Sequence, residues 1–185
     1  MSARMGLFTS GYITAVPPTP IRTAIVTVSD GVSAGERVDH GGPACEEALG
    51  EAGIAYAIVA REVLPDDRQR IAVAVATMAD TDAADLIVLT GGTGVAPRDR
   101  TPEAVRAVVE FEIPGLPERM RAVTGREVPA AALSRQVAGV RGRTLVICLP
   151  GSPKGAADCL RAVAELLPHA VSLVRGEKSE HPRGR

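Results

Sequence analysis

Three glycines in four residues, Gly91-Gly92-Thr93-Gly94, are followed closely by Arg98-Asp99-Arg100-Thr101-Pro102-Glu103. Glycines let a backbone approach a ligand closely and turn N–H groups toward an anion, although a tight strand-to-helix turn uses the same residues. The loop is not a Walker A, since no Gly-Lys-Ser/Thr follows. Nor is it a dinucleotide fingerprint, because Pro97 stands where the third glycine belongs. Asp99 lies between two arginines, a pattern suited to holding Mg²⁺ beside phosphates while the guanidiniums pair with phosphate oxygens. Its structural alternative is an Asx-type turn that stabilises the next helix start. Asp66-x-x-Gln69 is close to a capping box, so the residues alone favour a helix cap for Asp66. In Pro150-Gly151-Ser152-Pro153-Lys154, Ser152 is an expected N-cap, and the free N–H groups of that helix start could bind phosphate. Lys154 there is either an anion-binding cation or a solvated helix residue. No Ser-His-Asp or metal-ligand spacing involves His40, His169 or His181, so hydrolase and zinc chemistry lack support.

These loops need strands and helices to carry them. A β-branched run, Thr23 to Val28, stops at Ser29-Asp30-Gly31, and the polar stretch from Gly31 to Gly42 reads as a loop. Gly42-Pro43 opens a helix that stops at Gly53. A strand over Ala55 to Val63 ends at Leu64-Pro65-Asp66, and the next helix places Ile71, Ala74, Val75 and Met78 on one face. Leu86 to Thr90 is almost wholly apolar, as expected of a parallel strand covered on both sides, and runs directly into the glycine loop. A helix begins at Thr101-Pro102 with Thr101 as its N-cap, and a short one spans Gly115 to Thr124. Gln136 to Val140 and Thr144 to Leu149 form a hairpin or adjacent pair about Arg141-Gly142. One long helix then presents an apolar stripe from Ala156 to Val174. Strands alternating with helices imply a mostly parallel sheet between two helical layers, with ligands beyond the carboxyl ends of the strands. The loops at Asp30, Asp66, Gly91–Asp99 and Pro150–Lys154 should therefore gather along one edge.

The 185 residues suit one domain, expected over 23–176, with a flexible extension at 1–22 and a charged tail at 177–185. Aromatics are only 2%, so aliphatic side chains must fill the core. A net charge of −1 offers no electrostatic basis for binding nucleic acid or an anionic membrane surface. No apolar run approaches the roughly 18 residues of a membrane span. Cys45, Cys148 and Cys159 lie in apolar stretches with no C-x-x-C pair, which points to core roles and a reducing, cytoplasmic setting.

The ordered set Thr27-Val28-Ser29-Asp30, Gly41-Gly42-Pro43, Leu64-Pro65-Asp66-Asp67, Leu89 to Gly94, Arg98 to Ala104, Leu133-Ser134-Arg135 and Leu149 to Lys154 resembles the molybdopterin adenylyltransferase family of molybdenum-cofactor biosynthesis, the MogA/MoaB-like proteins. The family's Asp-x-Ser-Gly-Pro segment is Asp39-His40-Gly41-Gly42-Pro43 here, with glycine for serine. The resemblance implies a three-layer α/β fold assembled as a homotrimer, with hexamers among MoaB-like relatives. It implies Mg²⁺-dependent transfer of AMP from ATP to the phosphate of molybdopterin. Asp66 and Asp99 are implied as catalytic and metal-holding, against the cap favoured for Asp66 above. Ser29, Asp30, Gly91, Gly92, Thr93, Gly94, Arg98, Ser134, Gly151, Ser152 and Lys154 are implied to line the nucleotide and pterin sites. The alternative is a MoaB-like molybdopterin-binding protein with little or no activity. Since the attacking phosphate is already anionic near neutral pH, the aspartates are expected to act through Mg²⁺ and geometry, not as bases.

Overall fold

The computed structural model describes residues 19–177; the expectations for 1–18 and for the charged tail beyond 177, including Lys178 and His181, lie outside them. Six strands form one sheet in the order β2-β1-β3-β6-β5-β4. The first four are parallel: β2 (Tyr56–Leu64), β1 (Ile21–Val28), β3 (Leu86–Thr90) and β6 (Thr144–Leu149). Antiparallel strands β5 (Ala138–Arg141) and β4 (Phe111–Glu112) complete the edge. The β5–β6 pair is the expected hairpin, turned by Gly142 at φ +54°. Strand β1 begins two residues before the expected Thr23.

Alternation along the strands divides the core between two faces. Ile21 and Ile25 of β1, with Val88 and Ile147, pack against α2 (Gly41–Glu51), α5 (Gly115–Thr124), α6 (Pro153–Val163) and α7 (Leu167–Val174). Ala24, Val26 and Val28, with Ile87, Leu89 and Val146, pack against α3 (Arg68–Asp80) and α4 (Thr101–Arg106). The three-layer architecture expected from the sequence is present. All three cysteines are free and buried, and burial pushes the Cys45 and Cys148 thiols up to about 12, so they serve as core hydrophobes.

Four local expectations need correction. The loop expected from Gly31 begins as a helical turn, α1 (Asp30–Ser33), capped by Ser29. Asp67, not Asp66, caps α3, accepting from Arg70 N at 2.8 Å. Thr101 does not cap α4; Arg100 holds that position without a side-chain bond. The single long C-terminal helix is broken by a tighter turn at Ala164–Leu166. Pro168 explains the break, because a helix-interior proline removes one backbone bond and collides with the carbonyl four residues back.

Where the amino ends of β1 and β3 lie side by side, Asp85 is only 2% exposed and is clasped by two arginines. Arg22 donates from its backbone N (2.8 Å), Nε (3.1 Å) and Nη2 (2.8 Å), and Arg175 of the segment after α7 donates from Nη2. Burial alone would raise the Asp85 carboxyl, but hydrogen bonds from Arg22 and Arg175 outweigh it and hold the group well below the usual carboxylate range. Asp85→Asn leaves Arg175 without its buried anion and is expected to cost about 3 kcal/mol of stability near neutral pH, read by urea denaturation. A carboxyl with a depressed folded pKa stabilises above its unfolded value, near 3.9 in roughly unperturbed form, and that stabilisation fades as pH falls toward the folded pKa. The gap between wild type and variant should therefore shrink below about pH 4. A gap that persists undiminished into acid would contradict the ionic origin.

Candidate functional site

From β1 the chain moves to β2 on one side and then to β3 on the other, so the order reverses between β1 and β3. Open α/β sheets bind ligands in the crevice at such a reversal, beyond the carboxyl ends of the strands. Ser29 and Gly91 follow the ends of those two strands.

Gly91 has φ +112°, and a Cβ there would lie 2.0 Å from Val28 O, so β1 approaches too closely for any side chain. All four loop carbonyls are turned into the protein. Thr101 Oγ1 donates to Gly91 O (2.8 Å) and Thr101 N to Gly92 O (3.1 Å). Arg135 N donates to Thr93 O (2.8 Å) and its Nε to Gly94 O (2.6 Å). In a planar trans peptide the next residue's N–H points opposite to the carbonyl, so residues 92–95 direct their N–H groups outward. Those residues line two cavities. Gly92 borders a polar one of about 360 Å³, and Thr93, Gly94 and Val95 border a larger, mostly apolar one of about 750 Å³.

Asp66 and Asp99 both line the smaller cavity, with Ser29, Gly91, Gly92 and Gly151. Their carboxylates sit against the glycine loop: a Cβ on Gly92 would be 2.9 Å from Asp66 Oδ1, and one on Gly94 would be 2.8 Å from Asp99 Oδ2. Asp66 is held in a reciprocal clasp, with Asp30 N donating to Asp66 Oδ2 (2.9 Å) and Asp66 N donating to Asp30 Oδ1 (3.0 Å). Desolvation raises the Asp66 carboxyl above its ordinary value, and the negative charges of Asp30 and Asp99 add to the rise. Asp99 Oδ2 accepts from Ala96 N (2.8 Å), bonding backward into its own loop and not onto the α4 start. Each aspartate keeps one oxygen outside these backbone bonds.

Among the described residues no group of three His, Cys, Asp or Glu side chains could cage a metal alone. Two hard carboxylates on a polar cavity of about 360 Å³ nevertheless fit Mg²⁺, which takes one or two protein carboxylates together with substrate phosphates.

The remaining expected residues divide. Thr93, Gly94, Ser134, Ser152 and Lys154 line the larger cavity, and Gly151 lies on the border of both. Ser152 caps α6 as expected, accepting from Gly155 N at 3.2 Å. The Lys154 ammonium pairs with Asp158 at 2.6 Å and lies 3.7 Å from Glu127, and all three residues line the larger cavity. Asp30 and Arg98 line neither cavity. Arg98 grips Asp30 through Nε (2.9 Å) and Nη2 (2.7 Å), and the hydrogen bond from Arg98 lowers the Asp30 carboxyl.

The residues alone did not single out several groups that complete the site. Asp39 accepts from Gly41 N and Gly42 N through Oδ1 and from Thr27 Oγ1 through Oδ2, anchoring α2 at the smaller cavity. Thr90 Oγ1 donates to Pro150 O at 2.8 Å, tying the ends of β3 and β6 together. Arg37 lines the smaller cavity, where no other lysine or arginine does. The acid two residues before Gly41 was a legible capping signal, but Arg37 carried none.

The fold and site define a three-layer α/β protein whose glycine loop divides a polar, carboxylate-bearing cavity from an apolar one. A family model described as "Probable molybdopterin binding domain" matches residues 24–169. The molybdopterin adenylyltransferase of Helicobacter pylori strain J99 is 40% identical over 156 residues, covering 84% of this chain and 89% of that protein. The structure of the molybdopterin biosynthesis enzyme MoaB from Thermus thermophilus superposes with a TM-score of 0.79 at 51% identity, covering 85% and 98%. That of the molybdopterin biosynthesis Mog protein from Mycobacterium ulcerans gives 0.78 at 34% identity, covering 86% and 99%. The chain belongs to the molybdopterin adenylyltransferase family of molybdenum-cofactor biosynthesis, the MogA/MoaB-like proteins.

Proposed function

We propose that the chain transfers AMP from ATP to the terminal phosphate of molybdopterin in a Mg²⁺-dependent reaction. A phosphate oxygen of molybdopterin bonds to the α-phosphorus, the bond from that phosphorus to the β-bridging oxygen breaks, and pyrophosphate leaves with the electron pair. The observation that carries this reading is the pair of cavities meeting at Gly151, one polar and one apolar, with Asp66 and Asp99 on the polar side. Both volumes suit small-molecule binding, and the aliphatic wall of Val95, Val123, Val128 and Leu133 suits a flat heterocycle.

The attacking phosphate needs no base, so the residues act by positioning and charge. The outward N–H groups of the glycine loop, with the Lys154 N–H that the Ser152 cap and Pro153 leave in the first turn of α6, orient phosphate oxygens between the cavities. Arg37 supplies the guanidinium on the smaller cavity, and Asp66 and Asp99 would hold Mg²⁺ there. When bound, Mg²⁺ neutralises negative charge on the reacting phosphates. A homotrimeric assembly, hexameric in MoaB-like relatives, and a cytoplasmic setting belong to the same reading. The buried free cysteines support a reducing compartment. Among the described residues no helix is long and apolar enough to cross a membrane.

Pyrophosphate release tests the proposal: it should require molybdopterin, ATP and Mg²⁺ together. Release from ATP without molybdopterin would point instead to an unrelated nucleotide-dependent enzyme, and molybdopterin binding without release to a binding-only relative.

A further inference from the structure

Arg135 follows the short turn Pro129–Leu133, between two residues that line the larger cavity, Ser134 and Gln136. Its backbone N–H bonds Thr93 O, and its guanidinium reaches across to the smaller cavity's loop. There Nε donates to Gly94 O (2.6 Å), Nη2 donates to Asp99 O (2.7 Å), and Nη1 pairs with Glu103 Oε1. The three side-chain bonds span Gly94 to Glu103 and fix both ends of the segment that bears Asp99. Glu103 is suited to hold the cation in place. Burial would raise its carboxyl, but the hydrogen bond from Arg135 more than offsets this and keeps it ionised. Only the planar fork of arginine can serve three acceptors in these directions at once; a lysine is a single point of charge.

We infer that Arg135 is a positioning residue: its guanidinium sets Asp99 and the glycine loop relative to the larger cavity, and so aligns the two substrates for in-line transfer. The inference rests on the adenylyl-transfer reading, but the clamp itself can be tested without turnover. In Arg135→Ala, hydrogen exchange at the Ala96, Asp99 and Thr101 amides should quicken at least about tenfold while that of the sheet stays unchanged. The kcat for pyrophosphate release should fall about a hundredfold, with each KM within about threefold of wild type. The Arg135 side chain is about one-third exposed, so free guanidinium can enter the vacated space. At millimolar, non-denaturing concentrations it should restore part of the lost kcat, which a general loss of stability would not allow. Should the alanine variant not fold, Arg135→Lys decides, with an expected fall in kcat of about tenfold at unchanged KM.

Unchanged loop exchange in a folded variant, or a kcat loss that tracks a falling Tm without guanidinium rescue, would overturn the inference. If the wild-type chain releases no pyrophosphate, the adenylyl-transfer reading fails, while the exchange measurement still decides whether Arg135 holds the loop.

Discussion

Asp99→Asn should lower adenylyl transfer by at least about a hundredfold, the scale seen when one preorganised electrostatic group is removed from a reaction centre. The amide has the shape of the carboxylate, and its oxygen can still accept from Ala96 N, so the loop keeps its internal bond. The negative charge and the second acceptor oxygen are lost. An NH₂ group facing bound phosphates is a poor substitute for an oxygen that holds Mg²⁺. The loss should fall on kcat while the Tm stays within about 2 °C of wild type, since Asp99 makes no buried ion pair. Asp66→Asn should be equally inactive and no less stable, because its amide oxygen can still accept from Asp30 N in the clasp that joins the β1 and β2 ends, and the carboxylate it replaces is disfavoured by burial and by the charges of Asp30 and Asp99. Turnover of Asp99→Asn near the wild-type rate would remove Asp99 from the reaction.

The second large effect lies in the backbone. Gly91→Ala places a methyl group where Val28 O stands, 2.0 Å from the ideal Cβ position, at a φ of +112° that side chains rarely adopt. Neither β1 nor β3 can yield cheaply, because their ends are paired to each other and Gly91 N bonds Leu149 O at 3.2 Å. Destabilisation of at least about 3 kcal/mol is expected in urea denaturation, together with loss of activity in whatever protein remains folded. Gly92→Ala strains the fold and the site together. At φ +61° its methyl would press on the buried Thr101 Oγ1, which is bonded to Gly91 O, and on Asp66 Oδ1, so stability and activity should both fall. Wild-type stability in Gly91→Ala would show that the close approach of β1 is not maintained in solution.

The fold was largely legible because its signals are local. Apolar strands such as Leu86–Thr90, glycine or aspartate at strand ends and proline at helix starts each declare themselves within a few residues. The gathering of four loops along one edge then followed from the parallel sheet. What escaped depends on partners far along the chain. The cap moved from Asp66 to Asp67 because the clasp with Asp30, 36 residues away, draws Asp66 into the crevice. Arg98 sits beside phosphate-suited residues in sequence, yet its guanidinium folds back onto Asp30, 68 residues away. Thr101 looked like a cap from its position before Pro102, but the carbonyl of Gly91 claims its hydroxyl. The break in the last helix was legible in Pro168 and was masked by an apolar stripe that continues past it.

The most direct measurement follows ATP labelled at its α-phosphorus, incubated with the full chain, molybdopterin and Mg²⁺. Adenylyl transfer predicts that the label appears in a molybdopterin-containing product in amounts equal to the pyrophosphate released, and that both vanish in Asp99→Asn. Label confined to ATP while molybdopterin is bound, or recovered only as free AMP, would contradict it.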